Sequence, residues 1–538
     1  MHDSHGKDAQ NQITYTSKRL FGWLKINYDI LLLISLGMVG SLLLWKNTPW
    51  GIGVGYDSVF YLSAAENFLD GLGLSRIDGY QNVVYLTHYP PLYPLILAAA
   101  RYLTASESIA VMARALSALS FGLLIILIGI TVRTFTGSMT AAVLSALFAL
   151  SSSFLLDVHL MAMSEPLFFV FLILMLLTLS QYLNGRKYVW LVISGAIGAL
   201  VYLTRYVGLT AITTGVIAIF IFGLGKIGRR IKDALIFSFL GIFPILIWYV
   251  RNYILTGTTT NRSIAFHPPT SERLLSGLTT INAWMLPGGI PAGIRPIAIV
   301  VIVIGGLFLL VFGGYHFWTR RYNDAVIAEA WKFFIISVLF IFIYISSTLL
   351  SLTFFDASTK LNNRILSPVY FIGILMLFIL LWNGLDLNHN RTGTIIIVLL
   401  FLGAISFNIA KSSELLAEMR LKGLGFTGRR WQSSETIDGV KELPIEGVLY
   451  SNEAFPIYFI TGRPASWIPE KGDSVLGQET NEFDKKIEMM KAAIEETGGA
   501  LVIFDSRKIL SVYGSEEELT HGLVLWKDTS DGAIYVSP

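Results

Sequence analysis

The sequence predicts an all-α polytopic membrane protein with about eleven spanning helices, followed by a small α/β domain at the C-terminus. The chain is 54% hydrophobic and only 14% charged, with a mean hydropathy of +0.61, whereas a soluble domain carries about 25% charged residues. Apolar runs of about 20 residues, long enough to cross a bilayer, recur as far as residue 410. From Lys411 onward the apolar runs shorten to strand length and charged residues become frequent.

The composition excludes several kinds of chemistry. Cysteine is absent, so the chain has no disulfide, cysteine–zinc site, iron–sulfur cluster or thiol nucleophile. The formal net charge of +3 says little about partners, and no nucleic-acid partner is expected. No Gly-x-x-x-x-Gly-Lys-Ser/Thr loop occurs, which argues against a nucleotide-driven pump.

The Lys and Arg residues of the short loops predict the orientation of the spans. Arg186–Lys187, the basic group at 226–232 and Arg320–Arg321 all fall on one side when the apolar runs are counted as spans. That side is predicted to be cytoplasmic, together with the N-terminal segment 1–28. The predicted spans are 29–46, 109–133, 139–156, 165–183, 188–204, 207–224, 234–255, 296–318, 331–354, 365–383 and 393–410.

The first outer loop, 47–108, carries too many ionisable groups to lie in lipid. Within it, Tyr56 to Leu72 has apolar residues at helical spacing, and Pro91 to Tyr102 is a second apolar run that is too short to span. Both are predicted to be interfacial helices. The segments predicted to lie on the outer face are 47–108, 157–164, 256–295, 355–364 and 411–538.

The charged C-terminal region, 411–538, is predicted to be an extracytoplasmic α/β domain. Short apolar runs bounded by turn residues indicate strands, and a charged stretch ended by Thr-Gly-Gly indicates a helix. The strands are predicted at Gly447–Tyr450, Ile457–Ile460, Leu501–Phe504 and Leu523–Trp526, and the helix at Glu482–Glu496.

Carboxylates and histidines on the predicted outer face form the first group of candidate site residues. Asp57 begins the first interfacial helix and Glu165 begins a span beside a proline, so each could simply satisfy the free N–H groups of a first helical turn. Ionisable groups at membrane depth are functional candidates as well. The residues accompanying them on that face are His88, Asp157 and His159. No metal motif of fixed spacing occurs.

Basic residues at the predicted outer helix ends form the second group. The positive-inside rule predicts few cations there, yet this face carries Arg205, Arg251, Arg262, Lys360 and Arg364. Two explanations stay open. These side chains could extend to phospholipid headgroups, or their guanidinium groups could bind a phosphate bidentately.

Five short motifs stand out in the predicted outer loops and helix ends: Tyr56-Asp57-Ser58, His88–Pro94, Ser164–Leu167, Arg251–Tyr253 and Asn363–Leu366. They resemble motifs of the GT-C fold, the polytopic lipid-dependent glycosyltransferases. The likeness is greatest to bacterial relatives of the dolichyl-phosphate-mannose protein mannosyltransferases and of the lipid A aminoarabinose transferase, and it covers residues 29 to about 370. Two departures are that Ser58 follows Asp57 where many relatives have an Asp-Glu pair, and that Tyr89 stands where the aminoarabinose transferase has Lys.

The resemblance implies transfer of a sugar from a polyprenyl-phosphate donor to a glycan, lipid or protein acceptor on the outer face of a plasma membrane. It implies Asp57 as general base, with inversion at the anomeric carbon, and Glu165 as the second catalytic carboxylate. No cofactor is indicated, and a divalent cation at Asp57 and Glu165 is left open. The residues implied to bind the lipid phosphate or the sugar are His88, Tyr89, Arg205, Arg251, Arg262, Lys360 and Arg364.

Two other classes of function are kept as alternatives. A multi-span carrier or flippase for a lipid-linked or small solute would also need many spans and ionisable residues at their ends. Many secondary transporters have a half-to-half repeat and a pair of broken spans. This sequence shows neither, which argues against a carrier. A receptor or scaffold acting through the C-terminal domain is the third class.

Overall fold

The structure is a computed structural model that describes residues 28–106, 108–262, 264–285, 294–322, 324–355, 359–444, 446–473, 478–479, 482–505 and 513–538. Almost all of the predicted N-terminal segment 1–28 lies outside these residues. In chain order the helices are α1 Tyr28–Lys46, α2 Tyr56–Leu69, α3 Leu92–Thr104, α4 Ile109–Thr136, α5 Met139–Ser151, α6 Ser153–His159, α7 Glu165–Leu183, α8 Val189–Thr204, α9 Leu209–Phe222, α10 Ile227–Thr256, α11 Ser271–Met285, α12 Arg295–Phe308, α13 Gly314–Arg320, α14 Ala325–Phe354, α15 Asn363–Gly384, α16 Arg391–Lys422, α17 Arg429–Gln432, α18 Glu435–Glu442, α19 Ala454–Thr461, α20 Phe483–Thr497 and α21 Glu516–Thr520.

The prediction of an all-α membrane portion is confirmed, but its count of spans is too high. Within the described part of the chain, eight helical runs are long and apolar enough to cross a membrane, and α5 with α6, bent by 58°, would make a ninth. Every predicted span is helical, yet α8 and α9 have only 16 and 14 residues. A bilayer crossing takes about 20 residues, so composition alone overestimated the lengths of these two helices.

Ion pairs at the ends of the helices agree with the predicted alternation of the spans. Asp29 at the start of α1 pairs with Arg133 at the end of α4 at 2.5 Å. Arg320 at the end of α13 pairs at 2.9 Å with Asp386, which follows α15. Each pair joins two helix ends that the sequence places on the same side. Which side faces the cytoplasm stays a prediction.

The loop between α1 and α4 forms two helices with a hairpin between them. The predicted interfacial helices are confirmed as α2 and α3. Between them β1 Ser75–Ile77 pairs antiparallel with β2 Val83–Tyr85, a hairpin that the sequence did not predict because three-residue strands show no alternation. The hairpin tip meets the C-terminal domain, where a Cβ on Gly79 would stand 2.5 Å from the backbone nitrogen of Ser466.

The C-terminal region contains the predicted α/β domain, built on a five-stranded sheet. Its strand order is β4-β3-β7-β9-β8, with β3 parallel to both neighbours and β9 antiparallel to both of its own. The predicted boundary at 411 falls inside α16, which continues to Lys422. The remaining strands are β3 Leu449–Ser451, β4 Ser466–Trp467, β5 Gly472–Asp473, β6 Gln478–Glu479, β7 Ala500–Phe504, β8 Val524–Thr529 and β9 Gly532–Val536.

One predicted strand is wrong. Residues 457–460 lie in the helix α19, which has Pro456 in its first turn and ends at Gly462 with φ 71°. A four-residue apolar run has no period that distinguishes strand from helix, and both flanking residues favour a short helix. Helix α19 packs against α2, so it brings the C-terminal domain to the first loop.

Candidate functional site

Two carboxylates and two arginines from four distant parts of the chain meet at one end of the helix bundle. Arg364 donates from Nη2 to Oδ2 of Asp57 across 2.5 Å, and its Nε donates to Oε1 of Glu165. The same oxygen of Glu165 forms an ion pair with Nη1 of Arg205. We call Asp57, Glu165, Arg205 and Arg364 the carboxylate–arginine cluster.

Each member of the cluster stands at or beside a helix end, because polar groups there escape the lipid. Asp57 lies in the first turn of α2, whose preceding residue Gly55 is extended at φ −111°. Glu165 is the first residue of α7, and Arg364 is the second of α15. Arg205 has an extended backbone conformation, with φ −148°, and links α8 to the turn that follows it. Carboxylates at first helical turns are also stabilised by the free N–H groups of those turns.

Exposure falls steeply across the cluster. The side chains of Arg364 and Asp57 are 33% and 25% exposed, whereas Arg205 is 16% and Glu165 only 2% exposed. Burial acts to lower the pKa of Arg205, but the adjacent Glu165 carboxylate raises it overall. Glu165 therefore serves as a buried anchor for two guanidinium groups, and Asp57 is the carboxylate that a substrate can reach.

A phenol holds the second oxygen of Asp57. Tyr89 donates from its hydroxyl to Oδ1 of Asp57 at 2.8 Å. Burial, and then the Asp57 charge, raise the pKa of Tyr89 above its usual range, so the phenol stays protonated and can donate. Asp57 is thus fixed between Tyr89 on one side and Arg364 on the other.

A cavity of about 300 Å³ opens on the Tyr89 side of Asp57. It lies between α2 and the hairpin, and its wall includes apolar, hydroxyl and cationic groups. We call it the loop pocket. Volumes of about 300 to 1,000 Å³ are usual for small-molecule sites. The lining residues are Phe60, Ser75, Arg76, Val84, Tyr85, Leu86, Thr87, His88, Tyr89 and Asn261.

The other predicted cations lie outside the cluster. Arg251 donates to the carbonyls of Leu86 at 3.0 Å and Leu74 at 3.2 Å, so it secures the hairpin. Arg262 is exposed, with its guanidinium 6.0 Å from the ring of Tyr206. Lys360 is exposed in the loop before α15.

The accompanying acidic and histidine candidates are separated as well. Asp157 accepts a hydrogen bond from Asn363 at 3.0 Å, next to Arg364 in the chain but away from the cluster's contacts. His159 is fully buried, and its ring packs against Phe121 and Phe169. His88 lines the loop pocket with its ring 4.9 Å from that of Tyr89.

The chain gives matches both to a known protein family and to solved structures. Residues 88–248 match the sequence profile of the dolichyl-phosphate-mannose-protein mannosyltransferases. The chain is similar to ArnT from Cupriavidus metallidurans in the apo state, at 13% identity and a TM-score of 0.55, over 96% of this chain and 98% of that one. The structure of that protein bound to undecaprenyl phosphate gives 13% identity and a TM-score of 0.52, over 96% and 98%. The Archaeoglobus fulgidus oligosaccharyltransferase complex with Zn and sulfate gives 14% identity and a TM-score of 0.53, over 94% of this chain and 72% of that one.

No curated protein matches by sequence. The chain has the GT-C fold. The resemblance that the motifs indicated is thereby confirmed, and so is the prediction of a multi-pass membrane protein. The fold, together with the profile match over residues 88–248, favours a glycosyltransferase over the carrier and scaffold alternatives. The matched segment includes Glu165 and Arg205 of the cluster, whereas Asp57 and Arg364 lie outside it.

The cluster of this GT-C chain does not fit a divalent cation. Arg364 already bridges the two carboxylates that would have to bind one, and its charge would repel a metal ion placed beside it. Within the described residues, no group of three or more His, Asp or Glu side chains is arranged to hold a metal. We therefore derive no catalytic step through a metal ion.

Sequence reasoning missed the contact between the C-terminal domain and Tyr56, the residue before the candidate base. Tyr56, the residue before Asp57, donates to Oε2 of Glu453 at 2.8 Å, across 397 positions of sequence. The Tyr56 ring also packs against Phe426 and Trp467 at 5.3 and 5.9 Å between centroids. No local pattern could have revealed these partners, because each belongs to a different element.

Proposed function

We propose that the protein transfers a sugar from a polyprenyl phosphate to an acceptor hydroxyl or other nucleophile, with Asp57 as general base and inversion at the anomeric carbon. The observation that carries this proposal is the position of Asp57. It is the accessible carboxylate of the cluster, and it lies between a partly exposed guanidinium and the loop pocket. A donor phosphate and an acceptor could therefore approach it from opposite sides.

In the proposed reaction the acceptor oxygen attacks the anomeric carbon while Asp57 removes its proton. The bond between that carbon and the phosphate oxygen breaks, and its electron pair leaves with the polyprenyl phosphate. A general base within hydrogen-bond reach typically contributes about 10²- to 10⁴-fold. A single displacement inverts the anomeric configuration. The proton stays on Asp57 until it passes to solvent or to the released phosphate.

Arg364 is proposed to stabilise the phosphate as its charge grows. Its side chain is the most exposed of the cluster, and a planar guanidinium can bind phosphate through two parallel hydrogen bonds. Arg205 and Glu165 act through it. Glu165 orients Arg364 and also anchors Arg205, which supplies a second positive charge behind it. We place His88 and Tyr89 on the acceptor side, since both line the loop pocket.

The remaining binding residues and the membrane topology complete the proposal. Arg251, Arg262 and Lys360 stay candidates for contact with lipid phosphate, with Arg251 acting through the hairpin that it holds. We propose a plasma-membrane location, with residues 1–28 cytoplasmic, 29–410 as the transferase domain and 411–538 extracytoplasmic. The charge bias of the loops supports this orientation.

The test uses the purified full-length chain in lipid nanodiscs with undecaprenyl phosphates carrying radiolabelled mannose, glucose or aminoarabinose. Membranes supply the acceptor, and the readout is sugar moved from the polyprenyl lipid to a new product. Transfer from at least one donor, with an inverted anomeric product, supports the proposal. Failure of the chain to bind even bare undecaprenyl phosphate contradicts it, because every step requires that lipid.

A further inference from the structure

We propose that the loop pocket is the acceptor subsite and that Arg76, a residue outside the carboxylate–arginine cluster, selects an acceptor carrying a negative charge. The ligand class is a sugar-sized polar headgroup with a phosphate or carboxylate. This inference rests on the proposed function, because it assigns the second substrate of that reaction to a particular cavity.

Arg76 is a cation of the pocket wall that forms no ion pair with a described residue. It lies in β1, and its Nε is buried without a hydrogen-bond partner. Among the described residues no carboxylate lies within ion-pairing distance of it. The guanidinium packs instead at 5.4 Å from the ring of Phe60 and 6.0 Å from that of Phe455. Burial lowers the pKa of Arg76, so the charged form pays a desolvation cost that a bound anion would offset.

The nearest acidic residue is already committed. Asp78 lies two positions along the chain, and its Oδ1 accepts from the backbone nitrogens of Tyr80 and Asn82, both at 2.9 Å. This carboxylate closes the hairpin turn. Its charge acts to raise the pKa of Arg76, but the two side chains form no ion pair. The positive charge of Arg76 therefore remains available to a ligand.

The other arginines near the pocket contrast with Arg76. Arg364 and Arg205 are paired with carboxylates, and Arg251 is bound to backbone carbonyls. An incoming anion would have to displace a partner from Arg205 or Arg251, and Arg364 is already assigned to the donor phosphate. At Arg76 Nε it would displace no hydrogen-bonded partner among the described residues.

The pocket wall is braced from behind, which suits a binding site. Tyr206 donates to the carbonyl of Thr87 at 2.8 Å, and Trp248 donates to the Tyr206 hydroxyl at 3.0 Å. Arg251 holds the adjacent Leu86 carbonyl. Aromatic residues (Phe60, Tyr85 and Tyr89) and polar residues (Thr87 and Asn261) together line the pocket, which is the mixed surface that a sugar ring requires.

The place of the pocket relative to Asp57 assigns it to the acceptor. Tyr89 belongs to the pocket wall and bonds Oδ1 of Asp57, whereas Arg364 bonds Oδ2. With the donor phosphate at Arg364, the acceptor would enter from the Tyr89 side, where Asp57 can take its proton.

The experiment measures binding of glucose 6-phosphate, glucose and bare undecaprenyl phosphate to the full-length protein in nanodiscs. Four proteins are compared: the wild type, Arg76→Gln, Arg76→Lys and Arg101→Gln. Arg101 is the matched control, because it lies in the same loop and pairs at 3.6 Å with Glu66 outside the pocket. We expect the wild type to prefer glucose 6-phosphate over glucose by about tenfold or more. Arg76→Gln should abolish that preference, while the other two variants keep it.

Binding of undecaprenyl phosphate shows whether Arg76 binds the phosphate of the donor lipid or the anion of an acceptor. It also reports whether each variant is folded. We expect all four proteins to bind it within about twofold of one another. If Arg76→Gln weakens the binding of undecaprenyl phosphate as much as the binding of glucose 6-phosphate, the subsite belongs to the donor and the inference is overturned. It is equally overturned if the wild type shows no preference for the charged sugar, or if Arg76→Gln retains the preference. If the wild type does not bind undecaprenyl phosphate at all, that result would instead contradict the proposed function.

Discussion

Arg364 donates to Asp57 across 2.5 Å and joins two residues 307 positions apart in the chain. Through its Nε the same guanidinium reaches Glu165. One planar group thus fixes an accessible and a buried carboxylate relative to each other. Arg364 is therefore the side chain that bridges the two acidic residues.

Arg364→Lys should lower the rate of sugar transfer about 10²- to 10³-fold, the usual cost of losing a donor that stabilises developing charge. A lysine keeps the positive charge but cannot bond two carboxylates and a phosphate with a rigid fork. Initial transfer rates in nanodiscs measure the effect. Arg133→Lys, which alters an ion pair with Asp29 at the opposite end of the bundle, is the control and should transfer normally. A fully active Arg364→Lys protein would refute the assignment.

Glu165→Gln should destabilise the fold by about 3–5 kcal/mol, because it leaves the buried Arg205 without its anionic partner. Thermal unfolding of the purified protein measures this loss. The exposed pair of Glu66 and Arg101 provides the control, and Glu66→Gln should cost no more than about 1 kcal/mol. Combining Glu165→Gln with Arg205→Met should recover part of the stability. An unchanged melting temperature in Glu165→Gln would mean that Glu165 does not anchor the cluster.

Tyr89→Phe should slow transfer by up to about tenfold, since it removes one neutral hydrogen bond to Asp57. Burial and the Asp57 charge raise the pKa of Tyr89, so its phenol keeps its proton as the pH rises through the usual tyrosine range near 10. The wild type and Tyr89→Phe should therefore show the same alkaline limb in a pH–rate profile up to about pH 10. An alkaline limb below that pH that is lost in the variant would contradict the account.

Gly79→Ala should displace the hairpin from the C-terminal domain, because the new methyl would stand 2.5 Å from the backbone nitrogen of Ser466. Small displacements near a reaction centre can cost about 10²-fold in rate, and we expect a loss of that order. Faster hydrogen exchange in residues 75–85 would report the movement. Gly373→Ala, at a helical glycine with open space around it, is the control. If Gly79→Ala exchanges and transfers like the wild type, the domain contact does not position the loop.

The sequence predicted the membrane portion and the two acidic residues because both depend on local chemistry. Long apolar runs define helices, and a carboxylate such as Glu165 at the start of such a run is conspicuous. The same reasoning counted α8 and α9 as full spans, because hydropathy does not show where a helix ends. It also predicted a strand at 457–460, where proline and glycine instead bound the short helix α19.

The partners within the site could not be predicted, because they depend on tertiary contacts. Arg205 and Arg364 were predicted as phosphate ligands, and in the structure both are paired with Glu165. Arg251 was placed with them, yet it bonds the carbonyls of the hairpin. Arg76 was overlooked. In the sequence it is one charged residue of a polar loop, and only the fold shows that it lines a pocket with its Nε unpartnered.

The comparison of Asp57→Asn with the wild type tests the central claim most directly. Asparagine keeps the shape and can still bond Arg364 through its oxygen, but it cannot accept a proton from the acceptor. Transfer from radiolabelled undecaprenyl-phosphate sugars should fall by about 10²- to 10⁴-fold, while binding of undecaprenyl phosphate and the melting temperature stay close to wild type. Asp70→Asn, at the exposed end of the same helix, should be unaffected. Transfer by Asp57→Asn at a rate close to wild type would contradict the role of Asp57 as base.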